Sequence, residues 1–331
     1  MDNLKSDKKR ISEIQKLRES YECIFKGVLC TCGSNGSIPT ERNHSIQKKT
    51  YLESIANKNK VMVFDIEQQS YVQNKSKLFE KKIDNVNRYR ILCGVHDKLL
   101  FNEIENGKAF DINSKRQCFQ FAFRPFIFNY SQCLIKDNFK LVHKLYERVS
   151  KVYLLQYRRT FERFKSDFEM ENWDDVETEF LILNKKVEFV SSFYTNPFFT
   201  INNKYTYLKE GISFNVFPRG AETVVLMTYF KDASQKVKNF CKNICECYKN
   251  GEIDKFERYM SKLVIVSDLN LAINPLKWNY MHEEEKRNFE EFAYMYKKQR
   301  KKLGLIKFVK VIKKNCKCNL FSEKQLSIIN K

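Results

Sequence analysis

Glycine and proline are scarce in this chain, nine and five among 331 residues. That excludes collagen-like and linker-rich architectures, and the lack of any internal period excludes solenoid repeats. Long apolar runs are missing as well. No window approaches the roughly 18 to 20 apolar residues that a membrane span needs. The stretch Met1 to Tyr21 is charged throughout, without the apolar centre of a signal peptide. A cytoplasmic protein with no transmembrane segment is therefore expected. No Walker-type loop, dinucleotide fingerprint, nucleophile elbow or kinase signature occurs, which argues against nucleotide hydrolysis and acyl transfer. Only four histidines are present, at 44, 96, 143 and 282, so each has to be weighed.

What is plentiful is aromatic and basic. With 28 Phe and 17 Tyr the cores should be ring-rich, and the length suits two structural units better than one. The formal charge of +20 favours polyanionic contacts: nucleic acid, an anionic membrane surface or an acidic protein partner. Compositional drift toward Lys and Asn is the competing cause. Eleven cysteines in a reducing compartment read as free thiols, or as metal ligands where pairs are closely spaced.

The pattern along the chain predicts an α+β fold. Residues 4–21 and 45–57 have helical spacing, Val61 to Ile66 reads as a strand, and 67–87 as a polar loop. RILCGVHDKLLFNEIENG reads as strand, tight knuckle and a helix ended by Gly107. Residues 114–170 are helical, with a kink expected near Pro125, and WDDVETEFLIL reads as a further helix after a cap at Asn172. The runs KVEFVSSFY, GISFNVF and ETVVLMTYF predict antiparallel strands, with Pro218 to Ala221 turning between the last two. Helices then return. The expected division is a small zinc-knuckle domain over 1–110, followed by a domain over 111–331. In the second, helices pack around a modest antiparallel sheet, with a central hairpin at about 186–230 and a basic C-terminal tail.

The chemistry concentrates near the N-terminus. Cys93 and His96 form a C-x-x-H pair with Gly94 in the turn and a helix following, the construction of a zinc knuckle. Cys30 and Cys32 lie in a glycine-rich turn, and His44 lies twelve residues beyond Cys32. Together these supply two or three sulfurs and one or two imidazoles, a donor set that favours Zn2+ over magnesium or calcium. Which of Cys23, Cys30 and Cys32 bind stays open, and an ordinary turn beside an apolar strand remains the alternative for Cys93 and His96.

The stretches CTCGSNGSIPTERNHSIQKKTYLESIANKNKVMVF and ILCGVHDKLLFNEIEN resemble bacterial zinc-binding proteins with an HNH-like, treble-clef N-terminal region. The likeness covers about a quarter of the chain, with a weaker echo in SFNVFPRGAETVVL and NLAINPLKW. It implies a metal-dependent endonuclease in which His44 is the general base and His96 with Asp97 belongs to the metal side. The chain departs from the nuclease pattern in lacking a clear middle Asn. Water activation also needs an imidazole nitrogen facing solvent, which a closed structural zinc site would remove. The structural site is favoured. The leading expectation is a zinc-stabilised protein that binds DNA or RNA in phage defence or a mobile element. The alternatives are the nuclease and a toxin-like module for an acidic partner.

Phosphate contacts are expected from Arg158, Arg159 and Arg163, beside Tyr153, Tyr157 and Phe161, and from Lys297, Lys298, Arg300, Lys301 and Lys302. A solvated helix face over an aromatic core is the competing reading. Cys241, Cys245 and Cys247, with Cys316 and Cys318, are candidates for a second metal, but thiols at helical spacing usually pack as small apolar groups. His143 reads as part of a solvated face, and His282 as the lead-in to an acidic helix start.

Overall fold

The computed structural model describes residues 43–44, 46–64, 77–86, 88–89, 92–105, 108–142, 151–197, 199–202, 206, 208, 210–266, 270–302 and 319–322. In chain order the elements begin with β1 (Asn43–His44) and a π-helical turn, Lys48–Leu52, that continues into α1 (Glu53–Ile55). Then come β2 (Lys60–Phe64), β3 (Leu78–Lys82), β4 (Arg88–Tyr89) and α2 (Gly94–Phe101). Next are α3 (Lys115–Val142), α4 (Lys151–Glu169) and β5 (Val176–Leu183), followed by β6 (Phe189–Thr195), β7 (Ile212–Arg219) and β8 (Glu222–Phe230). The rest are α5 (Gln235–Lys249), α6 (Ile253–Val266), β9 (Leu271–Ile273), α7 (Pro275–Tyr280) and α8 (Glu283–Lys302). The described residues fall into two units, one drawn from 1–47 and 87–176, the other from 48–86 and 177–331.

Aromatic spacing builds the first unit. Phe119, Phe123, Phe126 and Tyr130 repeat at helical intervals on α3, and Tyr157, Phe161, Phe164 and Phe168 repeat at the same intervals on α4. The two rows meet. Phe164 lies 5.0 Å from Phe123 and 5.1 Å from Phe126, and Tyr130 lies 5.1 Å from Phe161, centroid to centroid. Trp173, in a 3-10 turn over Trp173–Asp175, closes the end against Phe119 and Phe168. Such ring pairs contribute about 0.5–1.5 kcal/mol each beyond their buried area.

The second unit carries a seven-stranded sheet in the order β3-β2-β9-β6-β7-β8-β5. The pairings from β3 through to β8 are antiparallel. Phe193 and Phe214, cross-strand partners on β6 and β7, stack at 5.0 Å. Gly220 has φ +60, and Arg219 pairs with Glu222, so β7 and β8 join through a two-residue loop of the kind glycine favours. The edge strand β3 carries Glu80, Lys81 and Lys82, charges that blunt an exposed edge. The helix α7 starts at Asn274, whose side chain accepts from the amides of Leu276 and Lys277, with Pro275 at the first helical position.

The α+β expectation is met, with a sheet larger than the modest one expected. Four elements differ from their sequence reading: strand β3 stands where a polar loop was expected over 67–87, strand β9 interrupts the helices expected after the hairpin, and two more have a visible local cause. WDDVETEFLIL is a 3-10 turn followed by strand β5, because β-branched Val176, Thr178 and Ile182 suit extended backbone and Thr178 meets Thr228 of β8 hydroxyl to hydroxyl at 3.0 Å. The helix after Cys93 ends at Phe101, short of Gly107. The Gln120 amide from α3 accepts from the Glu103 N–H and donates to Asn102 Oδ1, which holds the chain in a turn. The expected helix over 4–21 and the glycine-rich knuckle around Cys30 and Cys32 lie outside the described residues. Among the described residues no helix is long and apolar enough to cross a membrane.

Candidate metal centre

Leu92 and Cys93 are buried, and Gly94 opens α2 directly after them. Cys93 takes an extended conformation as the N-cap, and its Sγ accepts from the backbone N–H of His96 at 3.5 Å. That contact turns the His96 ring back over the cap: Nδ1 lies 3.2 Å from Sγ, and both side chains are buried. Two ligands on one tetrahedral zinc, at about 2.3 Å for sulfur and 2.05 Å for nitrogen, stand roughly 3.6 Å apart. The pair thus needs to open by only about 0.4 Å to chelate an ion. Without an ion the same atoms share a thiol–imidazole hydrogen bond, and the cap still closes the helix.

His44, the third expected ligand, sits half-buried on β1, which pairs antiparallel with β4 so that His44 stands opposite Arg88. Among the described residues no group of three or more His, Cys, Asp or Glu could hold a metal. Cys93 and His96 therefore stand together as a pair with no third described ligand. Cys23, Cys30 and Cys32, which the sequence offers to complete the set, lie outside the described residues.

The cysteines of α5 behave differently. Cys241, Cys245 and Cys247 are built into the core of the sheet unit. Burial raises the Cys241 thiol well above its ordinary value, and burial with Glu179 pushes Cys245 up to about 12. Among the described residues no metal-holding group forms around them, and these three pack as small apolar groups of the core. Cys316 and Cys318 lie outside the described residues, as does His143.

The basic candidates separate by environment. On α4, Arg158 and Arg159 are exposed, and Arg158 hydrogen-bonds the phenol of Tyr130. Arg163 differs from the expectation of a phosphate contact: its Nε and Nη2 grip both oxygens of Asp175 at 2.5 and 2.7 Å, so this fork is engaged within the protein. Lys297, Lys298, Arg300, Lys301 and Lys302 lie in the last turns of α8. At the other end of α8, Glu283 pairs with Lys286 at 2.8 Å, and that hydrogen bond lowers its carboxyl below the usual range.

Three charge clusters gave no local signal in the sequence. Arg124, buried on α3, pairs with Glu105 and lies 4.6 Å over the Phe101 ring. Asp167 is buried beside Asp175. Burial, a hydrogen bond shared with Asp175 and that neighbour's charge push its carboxyl up to about 6 against the pull of Asn172 and Arg163. In the sheet unit Lys185 bonds both Glu257 and the carbonyl of Phe321. The separations between charged partners run from eight residues for Asp167 and Asp175 to 72 for Lys185 and Glu257, and in each case the partner is visible only after folding. Comparison with protein-family models, with curated proteins and with solved structures finds no match.

Proposed function

We propose that this chain is a basic nucleic-acid-binding protein stapled by one zinc ion near its N-terminus. The observation that carries the binding half is the net charge of +20 together with Arg158 and Arg159 exposed side by side on α4. Phosphate contacts of this kind release counterions, so affinity falls steeply with salt. Leu155 is exposed on the same helix one turn earlier and offers an apolar surface beside the two guanidiniums. In this reading Cys93 and His96 supply two zinc ligands, and the cysteines at 30 and 32 with His44 are the pool for the others. The ion contributes cross-linking: thiolates and imidazoles distant in sequence become one rigid point.

The test is the salt dependence of binding to short DNA and RNA, single- and double-stranded. The expected result is a log–log slope that flattens by about two when Arg158 and Arg159 are both changed to Ala, with weakening that is uniform across sequences. Binding that is absent, or insensitive to salt, removes the proposal. His44→Ala separates ligand from general base. Loss of zinc makes His44 a ligand, whereas retained zinc with lost strand cleavage would establish the HNH-type endonuclease instead.

A further inference from the structure

Four residues near the C-terminus, Asn319 to Ser322, are held in the sheet unit almost entirely by groups far away in sequence. Leu320 and Phe321 are buried. The Phe321 ring meets Phe189 of β6 edge-on at 5.0 Å and Phe256 of α6 at 6.0 Å. Backbone and side-chain polar groups of the segment are met one by one. Lys185 Nζ donates to the Phe321 carbonyl at 2.8 Å, and Lys277 Nζ donates to the Ser322 carbonyl. The Leu320 N–H donates to Ser261 Oγ at 2.9 Å, and Asn319 Nδ2 donates to Glu257 Oε2 at 2.7 Å. Inside the segment, the amides of Phe321 and Ser322 donate to the Asn319 side chain and carbonyl, which folds it into a turn. Glu257 in turn accepts from Lys185, so the receiving surface is organised by its own ion pair.

This is the division of labour of a peptide-recognition site: main-chain hydrogen bonds supply affinity, and one aromatic anchor in an apolar pocket supplies specificity. The geometry points to a short-peptide docking site formed by Lys185, Phe189, Phe256, Glu257, Ser261 and Lys277, whose occupant is the chain's own Asn-Leu-Phe-Ser turn. The partner chemistry it reads is an Asn, an aliphatic residue and a Phe in sequence, in a turn with carbonyls facing two lysines. Ordinary core packing would make the segment inseparable from the sheet; a docking site releases and rebinds it.

The experiment uses the full chain carrying Phe321→Ala and a capped hexapeptide of residues 319–324. The peptide is expected to bind the variant and to raise its melting temperature by a few degrees. The same peptide with Ala for Phe should do neither, and the wild-type chain should bind at least tenfold more weakly because its own segment fills the site. A folded variant that ignores the peptide, or responds equally to both peptides, overturns the proposal. A wild-type dimer that the peptide converts to monomers assigns the occupant to a second copy and overturns the intramolecular assignment. Should Phe321→Ala fail to fold, hydrogen exchange on the wild type decides. The Leu320 amide is expected to exchange at least tenfold faster than that of Val225 on β8, through local release. Equal rates would make the segment fixed core and end the idea.

Discussion

In the unit built on α3 and α4, rings at matched helical intervals do the packing, and charge enters as a few buried pairs. In the sheet unit, strand partners such as Phe193 and Phe214 do it, and the polar groups enclosed include buried cross-strand pairs such as Ser192 with Asn215 as well as those that hold Asn319 to Ser322. The difference teaches where each unit is vulnerable. A ring stack loses several contacts with one residue, and a buried ion pair leaves a stranded charge when halved. A paired sheet shares the damage among neighbouring strands.

The sharpest way to break this comparison is Phe123→Ala. Phe123 is buried and meets Phe101, Phe119, Phe126 and Phe164, so the change should cost about 3–5 kcal/mol, read as a shift in the urea midpoint. A loss no larger than that of a single methylene would refute the ring-stack account. Next comes Arg124→Ala, expected to cost about 3 kcal/mol because Glu105 is left with an unpaired charge. The double change Arg124→Met with Glu105→Leu should recover most of that loss. In the sheet unit, a methyl at Gly211 would overlap the Tyr194 ring, and Gly211→Ala should destabilise by about 1–3 kcal/mol.

The smallest effect is a pH dependence. In the unfolded chain Asp167 titrates near its ordinary value of 3.8, and in the folded protein at about 6. The folded state therefore binds more protons between those values. The stability from the protonated carboxyl is complete below about 3.8 and is lost as pH rises through about 6. Asp167→Asn mimics the protonated form. It should leave stability unchanged near pH 4 and raise it by about 1 kcal/mol at pH 8, a figure reduced for screening by the partly exposed Arg163. A urea midpoint for the variant that tracks the wild type across this range would show that the two carboxyls do not share a proton.

Local chemistry explains which features were legible before folding. The hairpin of β7 and β8 could be read because β-branched runs flank a turn containing glycine, and the Cys93–His96 pair because its spacing is itself the signal. The cysteines of α5 were readable as core from their helical interval. By contrast β5 was misread, since apolar spacing in WDDVETEFLIL fits a helix until Thr178 finds Thr228 across the sheet. Arg163 looked like a phosphate contact because nothing nearby marks Asp175 as its partner. The interleaving of residues 48–86 with the sheet unit arises from pairings such as Met62 with Ile273, about two hundred residues apart, which no window can contain.

The claim on which the proposed function leans most is that Cys93 and His96 are two ligands of one ion. Native mass spectrometry of protein produced with ample zinc tests it directly. One zinc per wild-type chain, absent from Cys93→Ser while the helical signal persists, is the predicted result. A wild-type chain of metal-free mass, or a Cys93→Ser chain that keeps its zinc, would contradict it.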